Sequence, residues 1–254
     1  LMFRCKQFTV AQDKCAMKVN TDSLILGSWA EPNSAQRIVD IGTGSGILAL
    51  MMAQKAQALV CIDAIEINEG AASQAAFNFQ NAKWSKQLFI HHSDIKTFEA
   101  PYQYDMIITN PPYFDTPHQE TKAYSTQPEK RNLARQTYSL NPNELFKRAS
   151  AMLVELGSMY CVYPSSIEDN VIEIALSCGF ALKKIMYVRH SSEKAPYLCV
   201  FHFTKRASGL AGLNRQHVLA SIAADSRQTL TIKDEQGQYT HEYKALCQPF
   251  YLKF

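Results

Sequence analysis

Arg37-Ile38-Val39-Asp40-Ile41 has the apolar character of a buried strand, and it runs directly into Gly42-Thr43-Gly44-Ser45-Gly46 and then a helical pattern from Ile47 to Gln54. Three alternate glycines between a strand and a helix let the backbone turn tightly and come close to a ligand. The alternation of strand-length apolar runs with helical segments repeats downstream, which is the signature of a parallel sheet flanked by helices. Strands are predicted at Val60–Glu66, at about Leu88–His91 with the segment ending near Asp94, and at Tyr104–Thr109. Asn68 is placed to cap a helix that reaches about Asn81. Pro111 and Pro112 cannot continue a ladder, so the chain turns there. Further on come a helix near 142–153, a strand near 158–163, a helix near 167–178 and two apolar runs at 180–189 and 197–204. Thr229–Lys233 is a weaker strand signal and Glu235–Gln238 a turn. The expected fold is α/β: one doubly wound, Rossmann-like domain over residues 1–254, with an N-terminal extension to about residue 35 and additions from about residue 210.

Composition narrows the function classes. The chain is 46% hydrophobic and 19% charged, with only 10 Gly and 10 Pro, which excludes collagen-like, extended coiled-coil and wholly disordered chains. No apolar run approaches the roughly 18 residues of a membrane span. Leu1–Gln7 lacks the apolar stretch and small-residue cleavage site of a signal peptide. The seven cysteines are widely spaced with no Cys-x-x-Cys pair, which predicts reduced thiols in a cytoplasmic protein and no zinc site. The seven histidines show no ligand spacing, so no metal is expected. Net charge is +3, but residues 38–113 carry four Lys or Arg against seven Asp or Glu, whereas residues 181–215 carry seven against one. A basic segment beside an acidic half suits a polyanionic partner, and a solvated charged face is the competing explanation.

The residues at the strand ends carry the chemistry. A glycine-rich turn alone is compatible with a turn that holds nothing, and the third glycine comes one residue early for a dinucleotide fingerprint, Ile47 standing in that slot. Three carboxylates follow strands in succession. Asp40 stands two residues before Gly42, Glu66 ends the next strand, where a carboxylate can accept from both hydroxyls of a ribose, and Asp94 ends the third, within reach of an adenine edge. Each one alone fits a solvated cap; together they mark the sheet edge at which open α/β folds bind ligands. No Lys or Arg lies in the glycine loop, so a nucleoside ligand without a diphosphate fits.

Asn110-Pro111-Pro112-Tyr113 then closes the fourth strand. With it the chain resembles the class I S-adenosylmethionine-dependent methyltransferases, in the branch that methylates planar amino nitrogens. The resemblance implies S-adenosylmethionine as cofactor and a mostly parallel sheet of about seven strands, the last antiparallel. Lys6-Gln7-Phe8, Cys15 to Asp22 and Leu26-Gly27-Ser28-Trp29-Ala30, together with Tyr243–Leu246 and Pro249–Leu252, are similar to a bacterial tRNA methyltransferase family that modifies N6 of adenosine 37 in valine tRNA. That family's cofactor pocket implies that Lys18, Thr21 and Asp22 lie near the ligand, beside Asp40, Gly42, Gly44, Gly46, Glu66, Asp94 and Asn110. Thr21 or Asp22 also suits the cap of a helix running to Trp29.

The motif implies a mechanism. An exocyclic adenine amine is a poor nucleophile because its lone pair is delocalised into the ring. The Asn110 side-chain oxygen and the Pro111 carbonyl would each accept one amino hydrogen, Pro111 and Pro112 would stiffen the backbone that presents them, and Tyr113 would stack on the base. A base in an anticodon loop is already unpaired, which keeps the cost of extruding it small. The expected partner is therefore tRNA, with a monomeric enzyme, no membrane and no metal. Phosphate contacts are expected from Lys122, Lys130, Arg131 and Arg135 in the polar stretch 114–140, and from Lys183 and Lys184. Three rivals are weaker. A protein glutamine N5-methyltransferase carries a helical domain before its glycine loop, and 41 residues precede Gly42 here. An adenine N6-methyltransferase of DNA or ribosomal RNA shares the motif, but the DNA enzymes carry a larger target-recognition domain. A non-catalytic RNA-binding protein would not need Asn110 and Tyr113.

Overall fold

The computed structural model describes residues 2–56, 59–112, 140–207 and 226–254. Its centre is a sheet of eight strands. The sheet strands are β3 (Arg37–Ile41), β4 (Cys61–Glu66), β5 (Leu88–His92), β6 (Tyr104–Thr109), β7 (Leu153–Pro164), β8 (Phe180–Arg189), β9 (Leu198–Lys205) and β10 (Arg227–Thr231), and they lie in the order β10-β8-β9-β7-β6-β3-β4-β5. All neighbours are parallel except β9, which runs antiparallel to both β7 and β8. The expected mostly parallel sheet with an antiparallel seventh strand is present. The addition is β10, an eighth strand parallel to β8 on the edge, two residues upstream of the predicted Thr229–Lys233.

Helices α1 (Thr21–Trp29), α2 (Ile47–Lys55), α3 (Glu69–Gln80), α4 (Pro142–Met152), α5 (Glu168–Ser177) and α6 (His241–Cys247) cover the sheet. The period-2 geometry of β3 splits its side chains between two cores: Ile38 joins the cluster under α1, α2 and α3, while Val39 and Ile41 join the one under α4 and α5. Burial on both faces is why these strands read as continuous apolar runs. From β3 the chain steps outward through β4 to β5, then returns to place β6 on the other side of β3. This reversal pairs Ile41 with Thr109, so Gly42 and Asn110 leave neighbouring strands side by side at the carboxyl edge. That crevice is the ligand position of open α/β sheets.

Boundaries in the 37–109 region match the sequence reading within a residue or two, because glycines, prolines and caps punctuate it. Asn68 caps α3 by accepting from the Ala71 N–H. Four features differ or are new. The cap of α1 is Asn20, whose Oδ1 accepts from the Ser23 N–H at 2.9 Å; Thr21 and Asp22 are the first two helical residues. β7 begins at Leu153, five residues early, through an irregular stretch in which Leu156 takes a φ of 63° and the register with β6 shifts. An antiparallel hairpin of β1 (Met2–Arg4) and β2 (Thr9–Ala11) opens the chain. Helix α6, capped by Thr240, packs on α1 and β10, and Lys6 in the hairpin turn ties to the segment after it: its Nζ donates to the carbonyls of Gln248 and Phe254 at 2.6 and 2.8 Å.

Candidate active site

A cleft of about 290 Å3 opens at the carboxyl edge of the sheet. Its floor is the glycine loop after β3, its flanks are Glu66 to Asn68 after β4 and Ser93 to Ile95 after β5, and its far end is Thr109 to Pro112 after β6. Cys15 to Val19 of the N-terminal segment form a further wall.

The glycine loop is held from beneath. The N–H groups of Gly42 and Thr43 both donate to the Ile65 carbonyl, at 2.8 and 3.1 Å. Gly42 and Gly44 have φ values of 70° and 56°, a region that costs a residue with a Cβ about 1–2 kcal/mol. A Cβ at either would meet nothing within 4 Å, so these two glycines leave open space where the loop borders the cleft. Gly46 differs. It caps α2 at φ 86°, a Cβ there would stand 2.5 Å from the Phe79 ring, and it does not line the cleft. Its role is packing of the loop against α3.

Glu66 is pre-oriented by the backbone. Its Oε2 accepts from the Gly44 N–H at 2.9 Å and its Oε1 from the Asn68 N–H at 2.8 Å. Each carboxylate oxygen keeps a further lone pair, so the group can still accept two hydroxyls. Asp94 lines the cleft; its Oδ1 accepts from the Lys96 N–H at 2.9 Å and its carboxylate lies 3.7 Å from the Lys96 ammonium. Lys18 is exposed on the cleft wall.

Asp40 is fully buried beneath the loop and does not line the cleft. Its Oδ2 accepts from Thr43 Oγ at 2.5 Å and from the Ala49 N–H at 3.1 Å, and its buried Oδ1 has no hydrogen-bond partner among the described residues. Burial pushes its carboxyl up to about 7, against the lowering effect of those two bonds. Asp40 thus ties the loop to the first turn of α2 instead of facing a ligand.

Thr21 and Asp22 also stand off the cleft. Thr21 is exposed, and Asp22 accepts from the Tyr197 hydroxyl at 3.2 Å while burial raises its carboxyl. Tyr197 in turn stacks on His190, ring centroids 4.3 Å apart. Their contribution is to fix the first turn of α1, and that turn carries a residue the sequence did not reveal. The buried Ser23 lines the cleft, and its Oγ accepts from Asn110 Nδ2 at 2.9 Å. Nothing in sequence spacing marks a contact across 87 positions. With its amide nitrogen turned to Ser23, Asn110 can offer Oδ1 to a ligand. Pro111 is buried and Pro112 exposed, both at the cleft.

Tyr113, Lys122, Lys130, Arg131 and Arg135 lie outside the described residues. Lys183 and Lys184 are exposed on β8; Lys184 pairs with His202, which pairs with Tyr160 and through it with Ile108, so Lys184 sits three strands across from the end of β6. Among the described residues no group of three His, Cys, Asp or Glu is placed to hold a metal, and no helix is long and apolar enough to cross a membrane.

The donor set fits S-adenosylmethionine. Glu66 offers a fixed bidentate acceptor for a ribose, Asp94 reaches the adjoining space, and the two open glycines leave room against the backbone.

Comparison with known proteins agrees. Residues 15–177 match the family model of the methyltransferase small domain. Among solved structures, a protein from Agrobacterium tumefaciens described as a predicted O-methyltransferase superposes with a TM-score of 0.61 at 16% identity, covering 90% of this chain and 96% of that one. An O-methyltransferase from Brevibacillus brevis, solved with S-adenosyl-L-homocysteine, gives 0.53 at 15% identity over 81% of this chain and 78% of that one. These likenesses speak for the fold. Sequence relatives are much nearer. The tRNA1(Val) (adenine(37)-N6)-methyltransferase of Tolumonas auensis is 36% identical over 99% of this chain and 97% of its own. That of Flavobacterium psychrophilum is 37% identical over 99% and 100%, and that of Escherichia coli O9:H4 35% over 98% and 94%. Likeness of this degree over nearly the whole length of each partner places the chain in the tRNA1(Val) (adenine(37)-N6)-methyltransferase family.

Proposed function

We propose that this chain acts in the cytoplasm as a single methyltransferase domain that methylates N6 of adenosine 37 in the anticodon loop of valine tRNA. The observation that carries the reading is the side-by-side exit of Gly42 and Asn110 from paired strands, with Glu66 locked to the loop and Asn110 held by Ser23.

When bound, S-adenosylmethionine supplies an activated methyl group and a neutral thioether leaving group. Glu66 holds the ribose by its free lone pairs. Asn110 Oδ1 and the Pro111 carbonyl accept the two amino hydrogens of the target, which draws the nitrogen toward tetrahedral geometry and frees its lone pair. The prolines fix φ at the two positions after Asn110, so these acceptors are in place before the base arrives. No strong general base is needed, because the nitrogen becomes acidic only as it gains the methyl, and its surplus proton then passes to water. Tyr113 is the proposed stacking platform. Lys122, Lys130, Arg131 and Arg135 are the proposed phosphate contacts, joined by Lys183 and Lys184 on β8.

The test is nucleoside mass spectrometry of unmodified tRNA incubated with the protein and methyl-labelled cofactor. Label in N6-methyladenosine at position 37 of valine tRNA is expected. Label in another nucleoside, or none in RNA with label in protein glutamine, would overturn the assignment. Asn110→Ala should lower turnover by about 100- to 1,000-fold, the usual loss of one preorganised polar contact to the reacting group. Its cofactor affinity should stay within twofold by calorimetry.

A further inference from the structure

The wall formed by Cys15 to Val19 lies between β2 and α1 and has no regular secondary structure. A segment without a ladder must find partners for its backbone elsewhere. Three side-chain amides hold its far end and the residues that lead into it. Asn78 of α3, only 2% exposed, donates from Nδ2 to the carbonyls of Ala11 and Ser45, both at 2.8 Å, and accepts at Oδ1 from the Ala11 N–H at 2.8 Å. One carboxamide thus joins the end of β2 to the glycine loop. One turn earlier on the same face of α3, the buried Gln74 accepts at Oε1 from the Lys14 N–H at 3.1 Å. Gln12 accepts from the Val19 N–H at 2.7 Å and folds the segment back on itself.

Asparagine is a poor helix former, and a buried amide is costly unless its hydrogen bonds are made. Packing alone would be served by an apolar residue at either position. The bonds that justify Asn78 and Gln74 all go to the glycine loop or to Ala11 and Lys14, in the stretch that leads into the cleft wall.

We propose that Asn78 and Gln74 are positioning residues for cofactor binding: they clamp residues 11–14 to α3 and so hold the Cys15–Val19 wall in place before the cofactor arrives. The ligand's identity rests on the function proposed above; the clamp itself rests on the hydrogen bonds. Preorganisation raises affinity by removing the ordering cost from the binding step. Asn78 binds both the stretch leading into the wall and the glycine loop, whereas Gln74 binds that stretch alone, so Asn78 has the larger effect.

The experiment compares the full-length chain with Gln74→Met, Gln74→Glu and Asn78→Ala, by calorimetry with S-adenosylmethionine and by amide hydrogen exchange without it. Gln74→Met conserves volume but lacks the acceptor; it should raise Kd about fivefold, the worth of one net hydrogen bond. Gln74→Glu keeps an acceptor for the Lys14 N–H and should recover most of that loss. Asn78→Ala should raise Kd by more than tenfold if it folds. Exchange in Gln74→Met should quicken at residues 11–19 and stay unchanged in β3, β4 and β6. A Kd for Gln74→Met within twofold of wild type would overturn the proposal, as would faster exchange spread through the sheet or no rescue by Gln74→Glu. Should the unmodified chain bind no S-adenosylmethionine, the functional reading fails instead, and the exchange pattern still decides whether the clamp exists.

Discussion

Substituting alanine at Gly44 and at Gly46 should separate binding from folding within one loop. Both glycines lie in the left-handed region, at φ 56° and 86°, so each substitution costs about 1–2 kcal/mol from the backbone alone. At Gly44 the new methyl enters open space, and nothing further is lost in the folded chain. At Gly46 it stands 2.5 Å from Cε1 and 3.0 Å from Cζ of Phe79, a ring that is 3% exposed and packed in the core. Phe79 cannot withdraw without disturbing Ala75 and the strands beneath, so overpacking adds about 1–3 kcal/mol. Gly46→Ala should therefore lose roughly 3 kcal/mol in urea unfolding, or about 6–12 °C in Tm for a chain of this size. Gly44→Ala should lose about half as much. Calorimetry reverses the order: Gly44→Ala fills space bordering the cleft and should weaken S-adenosylmethionine by at least tenfold, whereas the folded fraction of Gly46→Ala should bind nearly as wild type. Adding Phe79→Leu to Gly46→Ala should return part of the overpacking cost and none of the backbone cost. Equal stability of the two alanine variants would refute the assignment of Gly46 to packing; equal affinity would refute the assignment of Gly44 to the cleft.

Asp40 makes stability depend on pH. Its folded carboxyl titrates at about 7, against about 3.9 in an unfolded chain, so the folded state retains a proton that the unfolded state releases between those values. Its contribution to stability is therefore full below about pH 4 and is lost as pH rises to about 7. Urea unfolding of wild type against Asp40→Asn should show a gap that changes across that window and is constant above it; a constant gap throughout would show that Asp40 is ionised when folded. Reversing Lys183 and Lys184 to Glu should weaken tRNA binding and flatten its salt dependence, by about 0.7 in log–log slope for each lost single-strand phosphate contact, with cofactor affinity unchanged. An unaltered slope would make the pair a solvated edge of β8.

Much of this architecture was legible because local chemistry announces it. Gly42 to Gly46, the cap at Asn68 and the paired prolines after Asn110 fix the ends of β3, α3 and β6 within the reach of neighbouring residues. The carboxyl-edge positions of Glu66, Asp94 and Asn110 follow from those ends. What the sequence hid depends on partners far along the chain. Asp40 and Gly46 read as ligand contacts because the motif is contiguous, yet the fold turns one beneath the loop and the other against Phe79. Ser23 meets Asn110 across 87 positions and Asn78 meets Ala11 across 67, and no periodicity encodes either pair. The β1–β2 hairpin has three residues per strand and α6 has seven in all, too few to establish a pattern.

The bond between Lys6 and the Gln248 carbonyl spans 242 positions, and it fixes an order of events during folding. Closing so large a loop carries an entropic cost that only a preformed surface can offset, so contacts of short span form first. The strands β3, β4 and β6 and their glycine loop can assemble from residues 37–109, whereas the hairpin turn at Lys6 gains its contacts only when the segment after α6 docks. Pulse-labelled hydrogen exchange during refolding should protect the Ile38 to Ile41 amides before the Lys6 amide, which donates to Phe250. Simultaneous protection would mean that the two ends meet in the folding nucleus itself.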